Sequence, residues 1–386
     1  MSASDAHERN ANKRKQGLLP VALDTTYAGV NPTGVGIYSA RLADELRRNS
    51  ARLGIRLICY GPACVPQGPH RTIPGTIQEW PVYTHGILPV RLLATRPGIV
   101  HSTSHIGPLW GPGRLIVTVH DLIFMRYPAD YNPAWLAITR AILPSVLRRA
   151  TAIIADSQAT KDDIQTFFGV HSGKIVVIYP GMDQPSAAAQ ATENQYRRNN
   201  DDKPYILCLG PWVRRKNIEV VLRAFSILAP VIPDLRLILT GDRPPGMKGY
   251  SRAELFSYID AKHNSRIELT GYVTSSEKHQ LIAGASALCY PSRIEGFGLP
   301  PLEAMAAGTP VVASNTPAVA EVTGGAALLV NPDDPFDWAR TLEQLLLNAD
   351  LRAALRKAGL SRSRNFTWQR CAEQTARLYH RVAERV

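Results

Sequence analysis

The chain has 386 residues, of which 45% are hydrophobic and 20% are charged, so it has the composition of an ordinary globular protein and the length of two domains. The sequence contains no apolar run of about 18 residues, the length that a membrane-spanning helix needs. The net charge of +12 is compatible with phosphorylated ligands or anionic lipid. Nucleic acid is not an expected partner, because the basic residues are dispersed and no groove-reading module is present.

The first 18 residues are polar and lack the apolar core of a signal peptide. They are interpreted as a disordered tail, and a cytoplasmic location is expected. The five cysteines are scattered and none has zinc-finger spacing. A disulfide framework or a cysteine metal site is therefore not expected.

Residues 19 to 183 alternate between strand-like and helix-like segments and are predicted to form an N-terminal Rossmann-like domain. Strands are predicted at 19–24, 55–60, 98–102, 114–120, 151–156 and 174–179, and helices at 37–48, 134–149 and 157–168. The basic, apolar stretch 140–150 suits either contact with an anionic membrane or a core-facing helix with a basic edge, and the second interpretation is favoured.

A polar segment, 184–204, is predicted to be a linker, and a second series of the same kind follows it. Strands are predicted at 205–210, 235–241, 266–271, 286–291, 310–314 and 326–330, with helices at 217–228 and from 335 to 385. The prediction is a doubly wound α/β protein of two domains, with a ligand in a cleft between them at the carboxyl ends of the strands.

The stretch "EGFGLPPLEAMAAG" brings two carboxylates, Glu295 and Glu303, to a glycine-rich turn before a helix expected near Pro300. Glycine allows backbone amides to approach a ligand, and a helix N-terminus attracts anions, so a diphosphate fits the turn. A carboxylate can accept hydrogen bonds from ribose or sugar hydroxyls. The alternative is that Glu303 only offsets the helix dipole and that Glu295 is a loop acid.

The stretch "LGPWVRRKN" places Arg214, Arg215 and Lys216 between a strand and a helix, with Asn217 as a potential N-cap. Cations at this edge of the sheet can neutralise a phosphate leaving group. A solvated basic turn is the simpler alternative for such a triplet.

Two further stretches are weaker signals. His120 and Asp121 end a buried strand, where a histidine is more often structural than catalytic. Gly34 and Gly36 lie in "NPTGVG", which resembles a phosphate loop but is also compatible with a tight turn. The sequence has no D-x-D motif, so a metal-bridged diphosphate lacks its usual ligands.

These stretches, in this order, resemble glycosyltransferase family 4, the retaining enzymes of the GT-B fold. The marks are "HD" after a strand, "RKN" after "LG", and two glutamates eight positions apart around "GFG". "DTTYAGVNPTGVGIYSARLADEL", "ADSQATKDDI" and "VIYPGMD" are similar to a bacterial mannosyltransferase-like branch, and the resemblance covers about residues 19 to 383. It implies two Rossmann-like domains facing a central cleft, a nucleotide-sugar domain at 205–365, and a C-terminal helix, 366–386, that crosses back to the N-terminal domain.

The resemblance also implies residue roles. Glu295 would hold the donor sugar, Glu303 the ribose, Lys216 with Arg215 the departing phosphate, and His120 the transferred sugar. The remaining binding positions would be the amides of Gly296, Phe297, Gly298 and Leu299 at the sugar and diphosphate, Gly34 and Gly36 at the cleft floor, and the loop around Val273 at the base. Many members have arginine where this chain has Pro211, so Arg214 or Arg215 would have to replace that cation.

The implied function is retaining transfer of a hexose, with mannose favoured, from a nucleoside diphosphate sugar such as GDP-mannose to a glycan or lipid-linked acceptor, in cell-surface polysaccharide biosynthesis. No metal and no cofactor is expected, since the nucleotide sugar is a substrate. The alternatives are a GT-B-type epimerase of sugar nucleotides, a glycoside hydrolase that uses the two carboxylates, and a non-catalytic protein that binds nucleotide sugars.

Overall fold

A computed structural model of the protein describes residues 17–29, 34–61, 80–183, 204–243 and 249–384. Most of the predicted N-terminal tail, nearly all of the predicted linker, and the first residues of "NPTGVG" lie outside these ranges. The chain divides into two compact units. The first unit comprises Met1–Leu122, Ala134–Gly181 and Thr367–Val386, and the second comprises Ile123–Pro133 and Met182–Phe366.

The first unit is built on a six-stranded parallel sheet with the order β2-β1-β3-β4-β5-β6. Its strands are β1 Leu19–Asp24, β2 Ile55–Tyr60, β3 Ile99–Ser102, β4 Arg114–Val119, β5 Ala152–Ala155 and β6 Ile175–Val177. Its helices are α1 Gly34–Arg48, α2 Trp80–Val82, α3 Leu88–Thr95, α5 Pro133–Arg149, α6 Gln158–Phe168 and α14 Trp368–Glu384, with a π-helical turn Tyr83–Ile87 between α2 and α3. Shorter 3₁₀ turns span Thr26–Gly29 and Ser172–Lys174.

The second unit repeats this plan with the strand order β12-β11-β10-β7-β8-β9, again entirely parallel. Its strands are β7 Tyr205–Cys208, β8 Arg236–Thr240, β9 Ile267–Gly271, β10 Ala287–Tyr290, β11 Val311–Ser314 and β12 Leu328–Val330. Its helices are α4 Ile123–Arg126, α7 Ile218–Leu228, α8 Arg252–Phe256, α9 Ser275–Gly284, α10 Leu299–Ala306, α11 Pro317–Thr323, α12 Pro335–Leu347 and α13 Ala349–Ser363. Its 3₁₀ turns span Pro128–Asp130, Arg214–Lys216 and Ala261–Arg266.

The two sheets are buried on both faces, which explains why their strands appear in the sequence as continuous apolar runs. In the first unit, Val21, Ile116 and Ile154 are fully buried and pack in one core with Trp368 and Tyr379 of α14. The C-terminal helix is therefore part of the first unit's core. The predicted strands are all present, and the doubly wound α/β prediction is confirmed.

Each strand order changes direction at one place, and such a switch point leaves a crevice at the carboxyl ends of the strands. In the first unit this place lies between β1 and β3, and in the second unit between β7 and β10. Segments that follow those strands can therefore meet. This geometry determines which of the predicted site residues come together.

The structure corrects several local expectations. Helix α1 begins at Gly34 and not near residue 37. Asn217 does not cap α7 with its side chain, because its backbone is left-handed and its amide donates to the Pro332 carbonyl oxygen at 2.6 Å. Cys59 is disulfide-bonded, whereas Cys208, Cys289 and Cys371 are buried free thiols.

Helix α5 settles the interpretation of the basic stretch 140–150. Leu143, Val146 and Leu147 are buried, while Arg140 and Arg148 are exposed. The stretch is therefore a core-facing helix with a basic edge. Within the described ranges, no helix is both long enough and apolar enough to cross a bilayer.

Candidate functional site

The loop after β7 is held by a close approach of three backbone segments. Gly241 has φ of +85°, and a Cβ atom there would lie 2.2 Å from the Gly210 carbonyl oxygen, so only glycine fits. The Gly241 amide also donates to the Gly271 carbonyl oxygen at 2.6 Å. The loops that follow β7, β8 and β9 are thereby packed together. The 3₁₀ turn Arg214–Lys216 begins a few residues beyond this contact.

Lys216 and Glu295 form a buried ion pair across the switch point of the second unit. The Lys216 Nζ atom donates to Glu295 Oε1 at 2.5 Å, and the two side chains are only 12% and 11% exposed. The Arg215 guanidinium lies 4.0 Å from the same carboxylate oxygen. Two cations thus face one carboxylate. These three side chains together carry one net positive charge, which favours an anionic ligand at this place.

Tyr290, the last residue of β10, forms one wall beside the lysine. Its hydroxyl lies 3.4 Å from Lys216 Nζ, and the ammonium stands 5.1 Å from the centre of its ring. Burial raises the pKa of the Tyr290 phenol well above its usual range, and the neighbouring Glu295 raises it further. The phenol therefore stays neutral and can donate a hydrogen bond.

The pKa values of the ion pair shift for opposing reasons. Burial raises the pKa of Glu295, but Lys216 and Arg215 outweigh that effect, so the pKa lies below its usual value. Burial lowers the pKa of Lys216, and Arg215 lowers it further against the opposing pull of Glu295. The carboxylate is therefore firmly ionised, while the ammonium is held in a site that already carries a second cation.

Arg214, the third cation of the triplet, points elsewhere. Its guanidinium contacts Glu254 at 2.5 Å and lies 4.4 Å from the centre of the Tyr250 ring. Of the two candidates for the cation missing at Pro211, the geometry thus favours Arg215, which faces Glu295.

Sequence reasoning missed Arg293, which fixes the backbone of this turn. Its amide donates to the Arg215 carbonyl oxygen at 2.8 Å, and its guanidinium pairs with Glu219 at 3.0 Å and with Asp333 at 2.9 Å. In the sequence, Arg293 is only one more basic residue in a polar loop. Nothing there distinguishes it from a solvated side chain.

The glycine-rich turn before α10 differs from the expected helix-terminus anion site. Gly298 precedes the helix with φ of +115°, a conformation that strains any other residue. The helix begins at Leu299 and continues with Pro300 and Pro301, which have no N–H group. Amide donors toward a ligand must therefore come mainly from the loop, Gly296 to Leu299.

Phe297 within this loop is a core residue. Its ring is buried and meets Phe366 edge-on, with centroids 5.8 Å apart. Its side chain thus belongs to the core, and the contact of its backbone amide with a ligand stays a prediction. The buried ring anchors the loop on which Glu295 and the glycines stand.

Glu303, one turn into α10, is paired with Lys278, a residue that sequence reasoning did not single out. The Lys278 Nζ atom donates to Glu303 Oε1 at 2.6 Å, with side-chain exposures of 30% and 20%. The motif Thr274-x-x-Glu277 forms a capping box and could have predicted where α9 begins. The pairing itself depends on the packing of α9 against α10 and has no sequence signature.

His120 lies in the first unit, directly after β4. Its ring contacts Asp156 Oδ2 through Nδ1 at 2.7 Å and the Thr103 carbonyl oxygen through Nε2 at 2.9 Å. Gly34 and Gly36 occupy the first turn of α1 in the same unit. Val273 lies half-buried in the loop between β9 and α9 of the second unit.

The predicted site residues therefore form separate groups. Lys216, Arg215 and Glu295 come together, and Glu303 joins Lys278 on the neighbouring helix. His120, Gly34 and Gly36 belong to the first unit. Among the described residues, no group of three or more histidine, cysteine, aspartate or glutamate side chains is arranged to hold a metal ion.

Two family models match consecutive parts of the chain. The model described as Glycosyltransferase Family 4 matches residues 32–184, and the model described as Glycosyl transferases group 1 matches residues 190–362. Together with the two parallel sheets and the Lys216–Glu295 geometry, these matches define a glycosyltransferase of the GT-B fold. The chain belongs to glycosyltransferase family 4.

The chain is similar in sequence to bacterial O-antigen chain mannosyltransferases. It is 29% identical to O-antigen chain mannosyltransferase B of Escherichia coli over 69% of this chain and 70% of that protein. It is 28% identical to an O-antigen chain mannosyltransferase of Salmonella typhimurium, with the same two shares covered.

Solved structures share the fold. Sucrose-phosphate synthase from Thermosynechococcus elongatus superposes with a TM-score of 0.69 at 22% identity, over 94% of this chain and 98% of that one. HepE of Anabaena in complex with UDP-glucose superposes with a TM-score of 0.67 at 16% identity, over 94% of this chain and 100% of that one.

Proposed function

We propose that the protein transfers a hexose, mannose in the favoured case, from a nucleoside diphosphate sugar to a hydroxyl group of a glycan or lipid-linked acceptor, with retention at the anomeric carbon. We further propose that it works without a metal ion, in the cytoplasm, in cell-surface polysaccharide biosynthesis. The observation that carries this proposal is the buried group of two cations and one carboxylate formed by Lys216, Arg215 and Glu295.

The charges of this group suit a diphosphate leaving group. When the bond between the sugar and the phosphate oxygen breaks, negative charge develops on that oxygen, and cations fixed nearby stabilise it without reorganising. The acceptor oxygen bonds to the anomeric carbon, and its proton passes to the leaving phosphate on the same face. The protein's contribution is then to hold the donor and to stabilise the charge, which fits a lysine already fixed by Glu295 and Tyr290.

The preference for mannose derives from the O-antigen mannosyltransferases, and GDP-mannose is the proposed donor. The structural neighbour HepE is titled as a complex with UDP-glucose, so a uridine donor is the alternative that an assay has to include. The ribose hydroxyl groups would bind Glu303, whose second carboxylate oxygen is not engaged by the Lys278 ion pair at Oε1.

A glycoside hydrolase fits this site poorly. Such an enzyme needs one carboxylic acid with a raised pKa as proton donor. Here Lys216 and Arg215 hold the pKa of Glu295 below its usual value against the effect of burial, and Glu303 carries its own lysine. Glu295 is therefore not placed to remain protonated near neutral pH.

The test is an assay of GDP and UDP release from GDP-mannose and UDP-glucose in the presence of extracted lipid-linked glycans. We expect nucleotide release that depends on the acceptor, and a product whose new linkage has the α configuration of the donor by NMR. A β-linked product would contradict retention. Cleavage of a glycoside without nucleotide, or a sugar-nucleotide epimer formed without acceptor, would favour the corresponding alternative enzyme.

A membrane contact of the first unit is a separate part of the proposal. Val82, Ile87, Val90 and Leu93 are exposed along one side of the helical segment that includes α2 and α3, by 49% to 66%. The exposed side chain of Trp110 adjoins them, because its indole N–H donates to the His85 carbonyl oxygen at 2.8 Å. Apolar surface of this kind, with an indole at its edge, suits the interfacial region of a bilayer.

Two exposed cations on the same segment, Arg91 and Arg96, make an anionic bilayer the proposed partner. We expect the protein to sediment with phosphatidylglycerol vesicles more than with phosphatidylcholine vesicles. The double variant Val90→Ser/Leu93→Ser should lose most of this binding, while Ile227→Ser, an exposed apolar control in the second unit, should retain it. Equal sedimentation of both variants would contradict the assignment of this surface.

A further inference from the structure

The strongest feature left unexplained is the environment of His120. Asp156, which directly follows β5, contacts the Nδ1 atom at 2.7 Å, and the Thr103 carbonyl oxygen, after β3, contacts the Nε2 atom at 2.9 Å. The side chains of His120 and Asp156 are only 12% and 7% exposed. Both ring nitrogens are therefore committed to partners inside the protein.

Both partners are hydrogen-bond acceptors. A backbone carbonyl oxygen never donates, and an ionised carboxylate accepts only. A neutral imidazole carries one N–H group and would leave one of the two contacts without a proton. Since a carboxyl group is the stronger acid of the pair, the proton between the two side chains belongs on the ring. The geometry thus fits an imidazolium that donates to both partners.

The groups that face His120 from its own and neighbouring elements are Asp156, Asp121, His101, His105 and Tyr38. Burial, with a smaller contribution from the charge on His120, lowers the pKa of His101 to about 3 and that of His105 to about 4. Burial raises the pKa of Tyr38, whose ring meets His120 edge-on at 4.7 Å, well above its usual range. These three neighbours are therefore neutral near pH 7.

The C-terminal helix α14 contributes one more titratable group near the pair. Burial, with a smaller contribution from Asp156, raises the pKa of the Cys371 thiol to about 12, so the thiol is neutral as well. Asp156 is then the carboxylate in direct contact with the His120 ring, and Asp121 adds to its effect. Burial lowers the pKa of His120, but the contact with Asp156 outweighs that effect, and the net shift is upward.

We infer that Asp156 is a positioning residue that holds His120 as a buried imidazolium, and that His120 acts in sugar transfer as a fixed positive charge and not as a proton acceptor. The role in sugar transfer rests on the proposed function, whereas the protonation state does not. Asp156 has no part in the roles implied by the family resemblance. It stands in the segment "ADSQATKDDI", whose N-capping Ser157 starts α6 and so fixes the backbone beside the carboxylate.

The raised pKa of His120 determines the direction in which stability and turnover change with pH. A histidine whose pKa is raised in the folded protein contributes stability below about pH 6.5, and loses it as pH rises through the folded-state pKa. If the charged ring is the active form, turnover falls over the same alkaline range. In Asp156→Asn the carboxylate charge is absent, so the ring should lose its proton at a lower pH, and the fall in turnover should shift with it.

The test is ¹⁵N NMR of the ring nitrogens in the histidine-labelled full chain, with the His120 signals assigned by their loss in His120→Gln. At about pH 7 we expect His120 to show two protonated nitrogens, and the buried His101 to show a neutral ring as internal control. In Asp156→Asn the His120 titration should shift to lower pH, and Asp156→Glu should restore part of the shift. The loss of turnover in Asp156→Asn should be greater at about pH 8 than at about pH 6.

A neutral, singly protonated His120 in the wild-type protein at about pH 7 would overturn the inference. So would an Asp156→Asn variant whose ring titration and pH profile match the wild type. If Asp156→Asn does not fold, the wild-type spectrum alone decides the matter. The NMR spectrum needs no substrate. A failure of the proposed transferase activity can therefore be distinguished from a failure of the inferred protonation state of His120.

Discussion

Each unit carries a buried ion pair at the carboxyl edge of its parallel sheet, but the two pairs differ in charge balance. In the second unit, Lys216 and Arg215 both face Glu295, so positive charge is in excess. In the first unit, His120 pairs with Asp156, and Asp121 also faces it, so positive charge is not in excess. The same architecture thus supports one site that needs a further anion and one that is already balanced.

This difference indicates how the work is divided in the proposed reaction. A diphosphate brings the negative charge that the second unit lacks, whereas a neutral sugar or acceptor hydroxyl suits the balanced first unit. In the second unit, the Lys278–Glu303 pair is also balanced, which fits the neutral ribose proposed for it. Of these three groups of side chains, the one proposed to bind the phosphates is thus the one with a net positive charge.

The largest expected effect is on turnover in Lys216→Met. Removing one fixed charge donor at a developing oxyanion reduces turnover about 10²- to 10³-fold. The matched control is Arg340→Met, a surface cation of the same unit paired with Asp337, which should change turnover little. Turnover is to be measured as nucleotide release at saturating donor. Equal losses of turnover in both variants would show that Lys216 does not stabilise the leaving phosphate.

The next effect is on stability in Glu295→Gln, which leaves two buried cations without their carboxylate. Breaking a buried pair from one side costs about 3 kcal/mol or more in the free energy of unfolding. Because a diphosphate would then supply negative charge in place of the lost carboxylate, we expect GDP to raise the melting temperature of this variant more than that of the wild type. The measurement is thermal unfolding at matched GDP concentration. A smaller rise in melting temperature for the variant than for the wild type would argue against a net positive charge in this group.

A smaller effect is expected for Lys278→Met. The pair with Glu303 is partly exposed, so its loss should weaken nucleotide binding roughly twofold to fivefold. The weakening should appear with GDP and vanish with the 2′,3′-dideoxy analogue, because Lys278 is expected to act through the carboxylate that holds the ribose hydroxyls. Calorimetric titration of both nucleotides measures this. If binding of GDP and of the dideoxy analogue weakened equally, Lys278 would contact the phosphates and not act through Glu303.

The last prediction concerns a neutral histidine of the first unit, His101. Burial lowers the pKa of His101 to about 3, so the unfolded chain takes up a proton below about pH 6.5 that the folded protein refuses. Stability should therefore fall as pH decreases from about 6.5 toward 3, by at most about 1.4 kcal/mol per pH unit for this residue. His101→Gln should flatten the dependence of denaturant midpoints on pH, and the exposed-site control His171→Gln should not.

Much of the fold could be predicted from sequence because the strands are buried on both faces. Runs such as Arg114–Val119 and Val311–Ser314 are continuous apolar segments between helices, and this pattern specifies parallel sheets directly. The helix bounds were harder to predict where proline or glycine stands at a terminus, as at Gly34 and Leu299.

The site was only partly accessible from sequence. The "RRK" triplet and the glutamates indicated the correct second-unit residues, but nothing in the triplet distinguishes Arg214, which pairs with Glu254, from Arg215, which faces Glu295. Lys278 and Asp156 act through partners far away in sequence. Their roles follow from tertiary packing, for which a single sequence has no local signal.

The most direct test of the charge surplus is isothermal titration of the full chain with GDP and UDP against guanosine and uridine. Two charge-assisted contacts to the phosphates predict that the preferred diphosphate binds about 10²-fold or more tightly than its nucleoside, and that added salt reduces the difference. Arg215→Met should reduce the difference in affinity between diphosphate and nucleoside, because one of the two cations that face Glu295 is gone. Equal affinity for diphosphate and nucleoside, or no binding of either, would contradict the account.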